Sequence, residues 1–134
     1  MEDNYKLSTK TITLLFNESK KAATFSYSPY SKFRVGAALL CSDGQIYSSC
    51  NIENSSYGLT ICAERSAIFK AISVGATSFV AIGIYSPDSK DYIYPCGACR
   101  QVLKEFAREA TVICFNNEGE YKEFLLSSLL PNAF

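Results

Sequence analysis

Two short motifs hold the residues able to do chemistry. Cys62-Ala63-Glu64 is followed by Pro95-Cys96-Gly97-Ala98-Cys99, in a chain of 134 residues without a single histidine. Cys62, Cys96 and Cys99 can bind a zinc ion as thiolates and leave one coordination position open, while Glu64 beside them can move protons. That combination describes a hydrolytic centre. Lack of histidine excludes Ser-His-Asp and Cys-His nucleophilic systems and every imidazole-bound zinc. Three thiolates around a divalent ion leave one net negative charge, so the site needs positive compensation.

The elements that must position these residues supply it. Both motifs stand where a helix should begin. Ala63, Ala67, Ile68, Ala71 and Ile72 recur at helical spacing after Cys62, and Ala98, Val102, Leu103 and Phe106 do so after Cys96, with Pro95 just ahead of the start. Helix N-termini present unpaired N–H groups and partial positive charge, which favour bound thiolates. Arg65 and Arg100, each directly after a motif residue, are candidates to donate hydrogen bonds to the sulfurs from outside the metal's own shell. The alternative for either is a solvated helix side chain.

Around these helices the chain reads as one domain, 1–134, without repeats or linkers. A first helix is expected from Thr9 to Phe25, then a hairpin of Phe33–Cys41 and Ile46–Ile52 about a turn at Ser42–Gln45. After the Cys62 helix, Gly75 marks a C-cap and Phe79–Tyr85 a central buried strand. The Cys96 helix should run to Arg108, followed by a strand at Ala110–Phe115, a turn at Asn116–Gly119, an edge strand at Tyr121–Glu123 and a short helix at Leu125–Leu129. This order predicts a five-stranded mixed sheet with helices on both faces, a three-layer α/β/α domain in the α/β class. Right-handed crossovers would bring both motif helices to one end of the sheet.

Lys plus Arg and Asp plus Glu number thirteen each, so no basic field favours nucleic acid or an anionic membrane as partner. Met1–Lys6 lacks the basic-then-apolar pattern of a secretory leader, and no apolar run reaches the length of a membrane span. A cytoplasmic, reducing setting is the expectation, in which six cysteines suggest metal or redox chemistry over disulfides. Cys41, Cys50 and Cys114 have apolar neighbours and read as buried packing.

Two rival readings use fewer residues. A thioredoxin-like redox pair needs only Cys96 and Cys99 and leaves Cys62-Ala63-Glu64 without a role. A structural zinc site needs a fourth ligand, and Cys41, Cys50 and Cys114 have no paired ligand spacing. Upstream, Asn51 and Glu53 alternate with Ile52, so both polar side chains project to one side of a strand. A carboxamide and a carboxylate together suit the hydroxyls of a ribose. A solvated strand face fits the same pattern.

The segments Tyr30–Ala38, Asn51–Tyr57, Cys62–Arg65 and Pro95–Gln101 resemble, in order, the small homotetrameric cytidine deaminases of the three-cysteine type. The likeness runs from about residue 10 to Phe134. It implies one zinc per subunit on Cys62, Cys96 and Cys99, water or hydroxide in the fourth position, and Glu64 as proton carrier. The substrate implied is a free pyrimidine nucleoside, cytidine or 2′-deoxycytidine, deaminated at C4 to the uracil nucleoside and ammonia, as in pyrimidine salvage. Metal can lower the pKa of bound water towards ~7 in imidazole sites; three thiolates should do so less, and the helix dipoles and Arg65 are the expected remedy.

The resemblance also implies Asn51 and Glu53 as the ribose clamp, Phe33 as a wall of the base pocket, the Ala63 N–H as a donor to pyrimidine O2, and Gln101 as a support of the metal ligands. Tyr57 and the terminal Phe134 are the candidates for aromatic residues that neighbouring subunits of a homotetramer contribute to each site. Ser55 and Ser66 are small departures that touch nothing catalytic. Polynucleotide, deoxycytidylate and tRNA deaminases typically have histidine at the position of Cys62, and antibiotic deaminases lack the Asn51/Glu53 pair.

Overall fold

Ser8 caps the first helix, accepting a hydrogen bond from the Thr11 N–H at 3.1 Å in a computed structural model that describes residues 7–134. Met1–Lys6, read above for a leader, lie outside the described residues. This helix, α1 (Thr9–Ala23), buries Ile12, Leu15, Ser19, Ala22 and Ala23, and Lys20 and Lys21 complement its carbonyl end. It stops two residues short of the predicted Phe25. The Thr24 hydroxyl donates to the Lys21 carbonyl at 2.6 Å, and Tyr27 turns away to bridge Ile52.

Strands β1 (Gly36–Cys41) and β2 (Ile46–Cys50) form the expected hairpin. Gly44 closes its turn at φ 90°, a backbone region open to glycine at little cost. Gly36 is required for a different reason: a Cβ there would lie 1.9 Å from the Ser19 carbonyl oxygen, so α1 packs backbone against β1. Both strands are shorter than predicted, β1 starting after Val35 and β2 ending before Asn51. A short 3-10 turn at Tyr57–Leu59, which no sequence pattern announced, precedes α2 (Ala63–Ser73).

The chain continues through β3 (Phe79–Tyr85), α3 (Gly97–Phe106), β4 (Thr111–Phe115), β5 (Tyr121–Leu125) and α4 (Leu126–Leu129). The sheet order is β2-β1-β3-β4-β5, with β3 and β4 parallel and the other neighbours antiparallel, which is the mixed five-stranded sheet expected. Side chains alternate across it. Ala38, Ala81, Tyr85, Ile113 and Phe115 pack against α1, while Ala37, Leu39, Ile82, Ile84, Val112 and Cys114 pack against α2, α3 and α4. The three layers are therefore α1, the sheet, and the other helices.

β2 and β3 are each antiparallel to the β1 between them, hence parallel to each other and to β4. α2 follows β2 and α3 follows β3, so both helices start beyond the carboxyl ends of parallel strands. That edge is where open α/β sheets bind their ligands.

Candidate metal centre and active site

Cys62 is the N-cap of α2, Cys96 the N-cap of α3, and Cys99 lies in the first turn of α3. Their Sγ atoms all lie within 4.8 Å of one another, the only such group of three potential ligands among the described residues. Cys62 Sγ is 3.8 Å from Cys96 Sγ, which is 3.4 Å from Cys99 Sγ. A tetrahedral zinc with Zn–S bonds of about 2.3 Å holds its sulfurs about 3.8 Å apart, so the donor set fits zinc in number, softness and spacing. Cys96 is exposed and Cys99 fully buried, which leaves an open side for a small molecule.

The local charges favour this use. The Cys99 N–H donates to Cys96 Sγ at 3.4 Å, a helix-start amide turned onto a sulfur. Arg65 Nη2 donates to Cys62 Sγ at 3.3 Å, as the sequence reading allowed. Contact with the Cys99 thiol, then with Arg65 and Cys96, lowers the Cys62 pKa to about 5 against the cost of burial. Cys99 moves the other way, first because as a thiol it donates a hydrogen bond to Cys62 and so keeps its proton, and then because it is buried beside Glu64. Arg100 does not reach a sulfur and is not simply solvated. Its Nε donates to the Pro95 carbonyl at 2.7 Å and its Nη1 to the Leu129 carbonyl at 2.9 Å, tying the Cys96 turn to α4. Gln101, half-buried in α3, donates to none of the three sulfurs among the described residues.

Glu64, in the first turn of α2, is only 4 % exposed. Burial pushes its carboxyl up to about 7, and the charge of Cys62 adds to this, opposed by its own backbone N–H, Cys99 and Arg65. A carboxyl so placed can take and return a proton near neutral pH.

Glu64, Cys62, Ala63 and Cys96 form the inner end of a cavity of about 290 Å³ whose walls include Phe33, Asn51 and Tyr94. Ser31 and Thr60 are shared with an adjoining cavity of about 350 Å³ that holds Tyr30, Glu53 and Tyr57. The two make one groove running outward from the metal ligands. Of the substrate-binding residues expected from sequence, Phe33, Asn51, Glu53, Tyr57 and Ala63 line this groove and Phe134 does not: it is 93 % exposed, its carbonyl hydrogen-bonded to Lys104 on α3.

Asn51 is buried, and its side chain joins separate pieces of chain. Its Oδ1 accepts from Ser26 Oγ at 2.5 Å and from the Val35 N–H at 2.9 Å, and its Nδ2 donates to the Phe33 carbonyl at 2.8 Å. Glu53 Oε1 accepts from the N–H groups of Tyr30 at 2.9 Å and Ser31 at 3.2 Å, while Oε2 accepts from the Ser31 hydroxyl. The Ser31 hydroxyl, the two amides and the charge of Lys32 hold the Glu53 carboxyl below its ordinary range. After these bonds Asn51 retains one free N–H and Glu53 one free acceptor position.

Sequence reasoning assigned no role to Ser31, Thr60, Ile61, Ile93 or Tyr94, all of which line the groove. Thr60 and Ile61 directly precede Cys62, and Ile93 and Tyr94 directly precede Pro95. Their signal was proximity to the motifs, since a turn that presents a ligand also presents its neighbours.

Residues 9–115 match the family model described as the cytidine and deoxycytidylate deaminase zinc-binding region. The chain is 51 % identical over 121 residues to a cytidine deaminase of Sporosarcina psychrophila, covering 90 % of this chain and 88 % of the relative. It is 48 % identical over 122 residues to that of Halalkalibacterium halodurans, covering 90 % and 92 %. Among solved structures, the cytidine deaminase of Burkholderia pseudomallei superposes with a TM-score of 0.88 at 40 % identity, covering 96 % of this chain and all of the other. That of Mycobacterium tuberculosis superposes at 0.80 and 36 % identity, covering 91 % and 95 %.

Proposed function

Since the chain belongs to the cytidine and deoxycytidylate deaminase family, we propose that Glu64 carries the protons of a hydrolytic deamination on a nucleoside held by Asn51 and Glu53. The reaction is the zinc-dependent conversion of cytidine and water to uridine and ammonia. The observation that carries the assignment to Glu64 is a buried carboxyl poised at about 7 beside the sulfur cluster at the closed end of the groove.

Cys62, Cys96 and Cys99 hold one zinc ion, which when bound supplies the Lewis acidity that makes water a source of hydroxide near neutral pH. Glu64 would take a proton from the attacking water and pass it to ring N3 as the new C–O bond forms at C4. A second proton moves through Glu64 from the added hydroxyl to the exocyclic nitrogen, and the C–N bond breaks to release ammonia. The Ala63 N–H orients the base through O2, and Phe33 forms the wall beside it. The free N–H of Asn51 and the free acceptor of Glu53 take the ribose 3′-hydroxyl. Cytidine and 2′-deoxycytidine both have that group, so both are substrates, in the reuse of preformed pyrimidine nucleosides. Arg65 offsets the charge of the thiolates through its hydrogen bond to Cys62.

The chain assembles as a homotetramer in the cytoplasm. Phe25, Tyr57, Leu59 and Phe134 are 73, 76, 71 and 93 % exposed, more apolar surface than a lone chain gains from leaving in water. Tyr57 flanks the groove, and Phe134, remote from its own groove, is available to a neighbour's. Six free cysteines, three of them metal ligands, suit a reducing compartment. No helix of the described residues is long and apolar enough to cross a membrane.

Ammonia and uridine release should be measured from zinc-loaded protein, with its mass read by sedimentation in the same buffer. One ammonia per cytidine consumed, at the mass of four chains, supports the reading. Bound zinc without turnover removes the reaction, and full turnover by a single chain removes the contribution of neighbours.

A further inference from the structure

Three consecutive amides ahead of β1 lack a strand partner and are held by side chains. The Phe33 N–H donates to Ser31 Oγ at 3.0 Å, the Arg34 N–H to Asp88 Oδ2 at 2.8 Å, and the Val35 N–H to Asn51 Oδ1 at 2.9 Å. Ser31 is local and Asn51 belongs to the groove. Asp88 alone comes from the other side of β3, in the loop that leads to Ile93, Tyr94 and Cys96.

Arg34 reaches back to the same carboxylate with its side chain. Nε donates to Oδ2 at 3.0 Å and Nη2 to Oδ1 at 2.7 Å, a two-pronged pair that is the only salt bridge among the described residues. The mount of Asp88 is firm. Its N–H donates to the fully buried Ser86 Oγ at 3.1 Å, the Asn117 N–H donates to the Ser89 carbonyl at 3.2 Å, and the Ile93 N–H to the Phe115 carbonyl at 3.1 Å. The guanidinium is half exposed, so the pair adds little to stability in water. What it adds is geometry, because it fixes the peptide next to Phe33 from a loop that itself lines the cavity.

We propose that Asp88 is a positioning residue for the deamination: by clasping both the amide and the guanidinium of Arg34 it holds Phe33 at the place where the pyrimidine packs, and so sets KM without touching the substrate. This rests on the reading that Phe33 walls the nucleoside site. A surface ion pair with no such role would change melting temperature and leave KM alone.

Asp88→Ala removes both interactions, while Asp88→Asn keeps an acceptor for the amide and discards the charge. With cytidine, well below the melting temperature of each variant and at matched zinc content, KM should rise roughly three- to tenfold in Asp88→Ala and less in Asp88→Asn, with kcat within about twofold of wild type. The double variant with Phe33→Ala should have a KM no higher than Phe33→Ala alone, since both changes act through one side chain. A raised KM in Phe33→Ala with an unchanged KM in Asp88→Ala overturns the clasp and leaves the pocket reading intact. An unchanged KM in Phe33→Ala overturns the pocket reading and the clasp with it. Should Asp88→Ala not fold, a wild-type KM in Asp88→Asn at lowered melting temperature is enough to reject the proposal.

Discussion

The two ends of the groove are built in opposite ways. At the inner end, Cys62, Glu64, Cys96 and Cys99 sit on the first turns of α2 and α3, whose buried faces pack on Leu39, Ile82, Ile84 and Val112 of the sheet. At the outer end, residues 26–35 and 51–60 contain almost no regular structure and are held by Asn51, Glu53 and Asp88 acting as acceptors for backbone N–H groups. Reacting groups must be fixed to fractions of an ångström, and helix starts backed by close-packed core provide that. In the proposed reading a sugar is recognised here, and Asn51 and Glu53 hold the loops with most of their polar positions while keeping one N–H and one acceptor free. One end should therefore govern turnover, and the other affinity.

The largest effect is expected at the inner end. Glu64→Gln keeps shape and volume, removes the carboxyl that burial pushes up to about 7, and should cut kcat by at least roughly 10²–10⁴ with zinc content and KM near wild type. Turnover close to wild type in a zinc-replete Glu64→Gln protein would sink the proton-carrier assignment, and an equal change in KM would dissolve the division between the two ends.

The same division decides what could be read from the chain. Ligand spacing and helix starts are local: Cys96 and Cys99 are three residues apart, and the apolar stripe after each motif lies within one window. The strands followed for the same reason, β3 to the residue, since continuous apolar runs bounded by turn signals are local too. The outer end was not local. β1 was expected from Phe33 but begins at Gly36, because the amides of Arg34 and Val35 are taken by Asp88, 54 residues away, and Asn51, 16 residues away. No propensity or period encodes a side chain acting as a ladder partner at that separation. Arg100 teaches the same lesson within the inner end: its position after Cys99 suggested a sulfur contact, but the carbonyls of Pro95 and Leu129 bind it first.

A smaller effect is expected at the outer end. Glu53→Gln keeps acceptors for the Tyr30 and Ser31 amides through its carbonyl oxygen but replaces the free, charged oxygen with a donor. Losing a hydrogen bond to a charged group should raise KM for cytidine roughly 10- to 100-fold and leave kcat within a few-fold. An analogue without the 3′-hydroxyl should show little change between the two proteins. Equal KM ratios for both substrates would remove that hydroxyl from the clamp and reduce Glu53 to a loop fastener.

The smallest effect concerns the fastening itself and is read in acid. Hydrogen bonding by the Arg34 guanidinium, then by its amide, holds the Asp88 carboxyl below its ordinary range, and the same contact raises Arg34. A carboxyl whose folded pKa is depressed stabilises the fold fully above its unfolded value, about 3.9, and loses that contribution as pH falls through the folded value. The melting temperature of wild type should thus exceed that of Asp88→Asn by a constant few degrees at neutral pH, and the gap should shrink below about pH 4 as Asp88 becomes protonated. Glu53 titrates in both proteins and cancels from the difference. A gap that persists undiminished through the acid range would mean that Asp88 acts by shape and hydrogen bonding alone, and the outer end would then owe its geometry to the amide of Arg34 and nothing to its charge.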